Sequence, residues 1–445
     1  MNLVALGALA TAMFVAVLGR LVFGGWLSHV SVFGLVWAAV LALQSVRFVA
    51  ADEMSPAAGA WVIGALIAYL LGAILLPLLE VASGAQGGGS SFGDMGGRRS
   101  APGRGLCGAV AVLSAIGFTA VTGRLWSLFG YLSSPARVVT GSSEVYALKM
   151  LGIQEEGIPY LAAASLAGAC LAGWGVRRGL IGMVGASAPL IAAGGLAFSA
   201  AGRTAVVLAV LLLLFGYRAA GPTTGKKAPG RALVVPFLVA LGTVAAISWT
   251  RELGGNDYYG VETSEVGRLV PEPARRVLTS LYMYAAFPPI VFSKYLEEGG
   301  EHGRWGENTL GPIRNGLNRM GFAIAPIESR YQRVYYIPYG MNVGTMLREL
   351  HADFGEVGLI LFPFLLGALA TASYWLARRG SLIGAVVGAH LSVVAALSTF
   401  MNAMRWGDWW ASLVFGVTTA LVLTVVAPRR AGWLVWRSKW TQRDG

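Results

Sequence analysis

Tyr335–Gly367, YYIPYGMNVGTMLRELHADFGEVGLILFPFLLG, joins a polar segment to a long hydrophobic one. Its first half carries Tyr335, Tyr336, Tyr339, Asn342, Arg348, Glu349, His351 and Asp353, a dense run of groups that bind or react. Past Gly358 it turns hydrophobic and stays so until Arg378 and Arg379, long enough for a membrane span. Met346 to Asp353 reads as a helix leading straight into that span. Residues three or four apart are neighbours on a helix, so Glu349 shares a face with Asp353, and Arg348 with His351. Two carboxylates, a guanidinium and an imidazole at the lip of a bilayer are costly to keep without a role. The same residues would also suit a hydrated helix start at the interface.

The rest of the chain agrees with a membrane setting. Of 445 residues, 56% are hydrophobic and 13% charged, with a mean hydropathy of +0.63. That balance excludes an ordinary soluble domain and indicates an all-α polytopic integral membrane protein. The 61 glycines suit helices that approach closely through small residues. Cys107 and Cys170 both fall in apolar segments and read as small core residues, without disulfide or metal spacing. The first span starts at Leu3 with no basic leader or small-residue cleavage site, so it is expected to be retained.

At roughly 20 apolar residues per span, about eleven transmembrane helices are expected: 3–23, 30–50, 57–79, 105–131, 158–176, 179–199, 203–217, 232–250, 355–377, 380–400 and 409–427. Arg98, Arg99 and Arg104 lie in a Gly/Ser-rich linker, 84–105, which composition makes flexible. Arg177 and Arg178, then Lys226, Lys227 and Arg231, then Arg378 and Arg379, and finally the basic tail from Arg429 to Arg443 mark further connections. With eleven spans these clusters share one side, the cytoplasm. Three regions result: a bundle of eight spans (1–250), one large outer loop (251–354), and the C-terminal spans with their basic tail (355–445). The outer loop holds 11 Lys/Arg and 12 Asp/Glu, nearly neutral in a chain of net charge +12. Within it, Pro273 to Phe287 has helical apolar spacing and is stopped by Pro288-Pro289.

Six arginines run against the charge pattern. Arg47, Arg124, Arg203, Arg251, Arg348 and Arg405 fall at the outer ends of spans. Some of these can be snorkelling anchors, but the gathering fits an anionic group such as a lipid diphosphate, which guanidinium matches in a bidentate fork. Arg203 lies in a tight polar turn, Ser199-Ala-Ala-Gly-Arg-Thr204. Proton transfer would fall to Glu349, His351 or Asp353, with Glu328 and Asp408 more distant in sequence. Asp353 could instead cap the ninth span, and His390 within span ten reads as a hydrogen-bonded packing residue. Tyr335, Tyr336 and Tyr339 fit an interfacial aromatic belt or platforms for sugar rings. No Walker loop, HExxH or CxxC appears, and the match Gly89-Ser-Ser-Phe-Gly93 sits in the linker, without the strand and helix of a nucleophile elbow. Neither a metal nor another cofactor is expected, and no nucleic-acid partner.

Asn342-Val-Gly-Thr-Met-Leu-Arg-Glu-Leu-His-Ala-Asp-Phe-Gly-Glu-Val-Gly358, followed by a span containing Gly367, resembles the N-x-x-T…D-F-G-x-x-G segment of Wzy-type oligosaccharide repeat-unit (O-antigen) polymerases. Gly202-Arg203-Thr204 is similar to that family's Ser-Arg-Thr turn, with Gly where Ser is common. The resemblance covers about 200–380. It implies an inverting, metal-independent, GT-C-like glycosyltransferase of the bacterial inner membrane that faces the periplasm. Such an enzyme joins undecaprenyl-diphosphate-linked repeat units, with membrane lipids around it, and admits a chain-length regulator as partner. Arg124, Arg203, Arg251, Arg348, Arg405, Asn342 and the tyrosines would bind substrate. The rival readings are an O-antigen ligase, with the same donor and a different acceptor, and a lipid-linked glycan flippase.

Overall fold

The computed structural model describes residues 2–50, 52–82, 103–129, 160–199, 204–221, 263–301, 303, 305–319, 321–324, 333–337 and 339–441, together with 238 and 242. In chain order the helices are α1 (Leu3–Phe23), α2 (His29–Val46), α3 (Pro56–Ala82), α4 (Gly103–Phe129), α5 (Ala164–Arg177), α6 (Met183–Ser199) and α7 (Thr204–Ala219). They continue as α8 (Glu265–Arg268), α9 (Glu272–Ala286), α10 (Pro288–Glu297), α11 (Gly311–Arg319), α12 (Met346–Arg378), α13 (Leu382–Leu397) and α14 (Gly407–Thr441). A two-residue antiparallel ladder joins β1 (Tyr335–Tyr336) to β2 (Gly340–Met341).

Helices cover every expected span except 232–250, which lies outside the described residues apart from 238 and 242; of the expected linker, 84–102 also lies outside them, and 103–105 are the start of α4 rather than linker. Six are long and apolar enough to cross a bilayer: Leu3–Phe23, His29–Val46, Pro56–Leu79, Gly105–Trp126, Met346–Arg378 and Gly407–Val425. Leu161–Arg177, Val184–Ala197, Thr204–Ala219 and Leu382–Leu397 are shorter apolar helices. The chain is an α-helical, membrane-embedded protein.

Local chemistry sets several boundaries. Asn2 and Ser28 cap α1 and α2 by accepting backbone N–H groups from Ala5 and Ser31. The α2 helix stops at Val46, short of the expected 50, because Arg47 takes a left-handed φ of 51°. Pro288 both follows the end of α9 and opens α10, where its missing N–H and fixed φ are tolerated. The largest departure is in α12. The Met346–Asp353 helix does not run straight into the span: Gly355 breaks it with φ 65° and ψ −156°, a conformation open mainly to glycine. The part after Gly355, at about 1.5 Å per residue, is still about 35 Å long, enough for a hydrocarbon core of about 30 Å.

The chain divides into two compact units. One comprises Met1–Gly88, Gly255–Ala372 and Leu391–Trp410. Its helices meet through small residues: a Cβ on Gly72 of α3 would collide with the Phe364 carbonyl, and one on Gly367 of α12 with the Tyr69 carbonyl. This reciprocal close approach is the membrane-type packing that the glycine content foreshadows. A buried bridge crosses the same region, with His29 Nε2 2.9 Å from Thr371 Oγ1, which donates to the Ala73 carbonyl at 3.0 Å.

The other unit comprises Gly89–Gly254, Ser373–His390 and Ala411–Gly445. Gly173 of α5 and Gly216 of α7 repeat the reciprocal contact, against the carbonyls of Leu213 and Cys170. Val121, Leu196, Ala197, Ala205 and Val206 form a core cluster beside it. His390 is fully buried and hydrogen-bonds the Val386 carbonyl at 2.8 Å and Ser412 Oγ at 2.9 Å, the packing role read for it. Cys170 is buried as expected. Cys107 is not a core residue; it is exposed, with its Sγ 3.1 Å from the Leu180 carbonyl.

Candidate functional site

The stretch Tyr335–Gly367 lies in the first unit, and its helical start presents two chemically different faces. The chain enters through the β1–β2 ladder, and the Met346 N–H docks on the Ser398 carbonyl at 2.8 Å. At the other end, the Ala352 and Asp353 carbonyls accept the N–H groups of Gly303 and Gly306. These bonds fix both ends of the segment Met346–Phe354.

Glu349 and Asp353 lie on one face, as their spacing predicts. Glu349 Oε1 accepts from Arg405 Nη1 at 3.0 Å, and Oε2 from the Asn402 N–H at 2.7 Å. Asp353 Oδ1 accepts from the Asn308 N–H at 2.8 Å and from Asn308 Nδ2 at 2.9 Å, while Oδ2 takes the Thr309 N–H at 2.7 Å. Asn402 Nδ2 donates to Thr309 Oγ1 at 3.0 Å and closes the network. Both carboxylates are buried. Burial disfavours their charge, and the guanidinium and convergent N–H groups compensate for it.

Arg348 and His351 lie on the other face, and both reach Tyr295 of α10. The Arg348 guanidinium is 1% exposed. It donates to the carbonyls of Asn342 at 3.2 Å and Arg333 at 3.1 Å. Its Cζ stands 5.5 Å from the Tyr295 ring centre and 4.9 Å from that of Tyr335, within cation–π range. Its carboxylate partner is Glu301, with Nη2 to Oε2 at 3.7 Å, and that side chain is 38% exposed. Tyr335 Oη lies 3.5 Å from Glu301 Oε1. Burial, then the neighbouring Glu301 charge, push the Tyr335 hydroxyl up.

His351 Nδ1 is 2.8 Å from Tyr295 Oη, which donates to the Glu301 carbonyl at 3.0 Å. Burial pushes the Tyr295 hydroxyl up to about 12, so it keeps its proton near neutral pH. That one proton serves the carbonyl, so Nδ1 is the donor to Oη, and a neutral His351 carries its basic lone pair on Nε2.

Arg348, Glu349, His351, Asp353, Tyr335, Asn342 and Arg405 are therefore gathered in one neighbourhood. Tyr336 and Tyr339 are exposed on the ladder and its turn. Arg124 is half-buried on α4 in the second unit. Arg203 and Arg251 lie outside the described residues. Sequence reasoning missed Glu301, Asn308, Thr309, Asn402 and Arg333, and read Tyr295 only as one of the outer-segment aromatics, not as the partner of His351. Glu298-Gly-Gly-Glu301, two carboxylates on a glycine hinge, was the available signal for Glu301. Among the described residues no group of three or more His, Cys, Asp and Glu has metal-binding geometry. Comparison with protein-family models, curated proteins and solved structures finds no match.

Proposed function

We propose that this chain is a glycosyltransferase of the Wzy-type repeat-unit polymerases, a multi-pass GT-C-like protein of the bacterial inner membrane with about eleven spans. In this reading the N-terminus is periplasmic and the C-terminus cytoplasmic, and undecaprenyl-diphosphate-linked oligosaccharides are joined at the periplasmic face. The observation that carries it is the Arg348–Glu301 pair beside the Tyr295–His351 pair, at the head of a membrane-crossing helix. A buried cation whose carboxylate partner is half open to solvent is suited to accept a ligand's anion.

The roles follow from the contacts. His351 Nε2 removes the proton of the acceptor hydroxyl, whose oxygen bonds to the donor's anomeric carbon as the carbon–oxygen bond to the diphosphate breaks. Configuration inverts, and the departing diphosphate meets the Arg348 guanidinium. Tyr335, Tyr336 and Tyr339 offer aromatic surface to sugar rings. Glu349 and Asp353 act as positioning residues, because their oxygens hold the two loops that frame the helix.

Purified protein given defined undecaprenyl-diphosphate-linked repeat units should produce ladders of increasing length. Transfer to a lipid A-core acceptor would mean a ligase, and movement of the lipid with no new bond a flippase; either result replaces the polymerase reading.

A further inference from the structure

Arg348 is not the only guanidinium on the Tyr335 ring. The Arg333 Cζ stands 5.3 Å from the same ring centre, and the two arginines are linked by the bond from Arg348 Nη2 to the Arg333 carbonyl. Each carries a carboxylate from one short loop: Glu298 Oε2 is 2.9 Å from Arg333 Nη2, and Glu301 Oε2 is 3.7 Å from Arg348 Nη2. Both glutamates are open to solvent, at 34% and 38% exposure, and the Arg333–Glu298 pair, with Arg333 58% exposed, is of the kind that contributes little. Between them stand Gly299 and Gly300, with φ of 86° and 73°, a backbone that other residues adopt only with strain.

We infer that Arg333, Arg348 and Tyr335 form a two-anion site for a diphosphate, in which Glu298 and Glu301 are resident stand-ins for the two phosphoryl groups. The assignment rests on the reading above, and it names what occupies the arginines before substrate arrives. A diphosphate brings more charge and more acceptor oxygens than two carboxylates, and guanidinium takes phosphate in a bidentate fork. Its arrival displaces the Glu298 and Glu301 side chains, which swing away about the glycine pair while the Glu301 carbonyl keeps its bond from Tyr295. The loop also lies against His351: a Cβ on Gly300 would sit 3.2 Å from His351 Cε1. Displacement therefore opens the base and the cation together, which ties proton removal to the presence of donor.

The test is isothermal titration of the full chain in detergent with inorganic pyrophosphate. Glu298→Gln/Glu301→Gln keeps side-chain size and removes the competing charges, so pyrophosphate should bind about tenfold tighter than to wild type. Adding Arg348→Lys to that variant should abolish the gain. Glu301→Asp, which keeps the charge but shortens its reach, covers a double variant that fails to fold, and should bind a few-fold tighter than wild type. Equal or weaker binding by the folded Gln variant, or a gain that survives Arg348→Lys, overturns the stand-in role. Ladder formation is scored separately. Ladders with no gain in binding sink the stand-in role alone, while tighter binding without ladders upholds it and sinks the polymerase reading.

Discussion

The two faces of the Met346–Phe354 segment carry the same kinds of charge and use them in opposite ways. On the Glu349–Asp353 face the oxygens are met by short bonds from backbone N–H groups, an amide and a guanidinium, with no carboxylate open to solvent. On the Arg348–His351 face the cation is just as buried, but its carboxylate partner is half exposed and hangs from a glycine hinge. Charges satisfied by several short bonds, from partners that are buried or half-buried, are suited to hold architecture. A buried cation whose partner is open to solvent is suited to take a ligand's anion.

The comparison breaks most readily at Arg405. Arg405→Ala strands the Glu349 charge in a buried place, and losing one member of such a pair costs roughly 3–5 kcal/mol. The detergent-solubilised protein should melt several degrees lower, and Glu349→Gln/Arg405→Ala should recover much of the loss. A wild-type melt with lost activity would move Arg405 to the chemical face. Arg348→Lys should show the reverse pattern. It keeps the charge and loses the fork, at roughly 1.5–3 kcal/mol for a charge-assisted contact, a 10- to 150-fold drop in polymerisation at near-normal protein levels. Wild-type ladders from this variant would leave Arg348 as a packing cation.

Smaller effects sharpen the contrast. Asp353→Asn places an amide N–H against the N–H of Asn308 or Thr309, at a cost of roughly 1–3 kcal/mol. Thermal stability should fall while turnover per folded molecule stays within about twofold. A selective loss of turnover would return Asp353 to the chemistry. The smallest effect expected is from EDTA, which should leave the rate unchanged, since the proposed reaction assigns to a guanidinium the charge that a metal would otherwise supply. Loss with EDTA and recovery with a divalent ion would mean that the anion-facing groups are misassigned.

The sequence by itself determined that this is a helical membrane protein, since long apolar runs can bury their backbone only as helices in lipid. It also placed the reactive stretch at the head of a span and paired its residues correctly, Glu349 with Asp353 and Arg348 with His351, because helical spacing is local. It could not tell the two pairs apart. What separates them is Asn308, Thr309 and Asn402 on one side and Tyr295, Glu301 and Arg333 on the other, brought in from α10 and from loops outside the segment. The break at Gly355 was equally hidden, because one glycine between Phe354 and Glu356 is compatible with a continuing helix until its φ is seen. Face membership is a matter of periodicity and can be read from the sequence. How open a buried charge's partner is to solvent depends on contacts between segments distant in the chain, and it becomes visible only once the chain is folded.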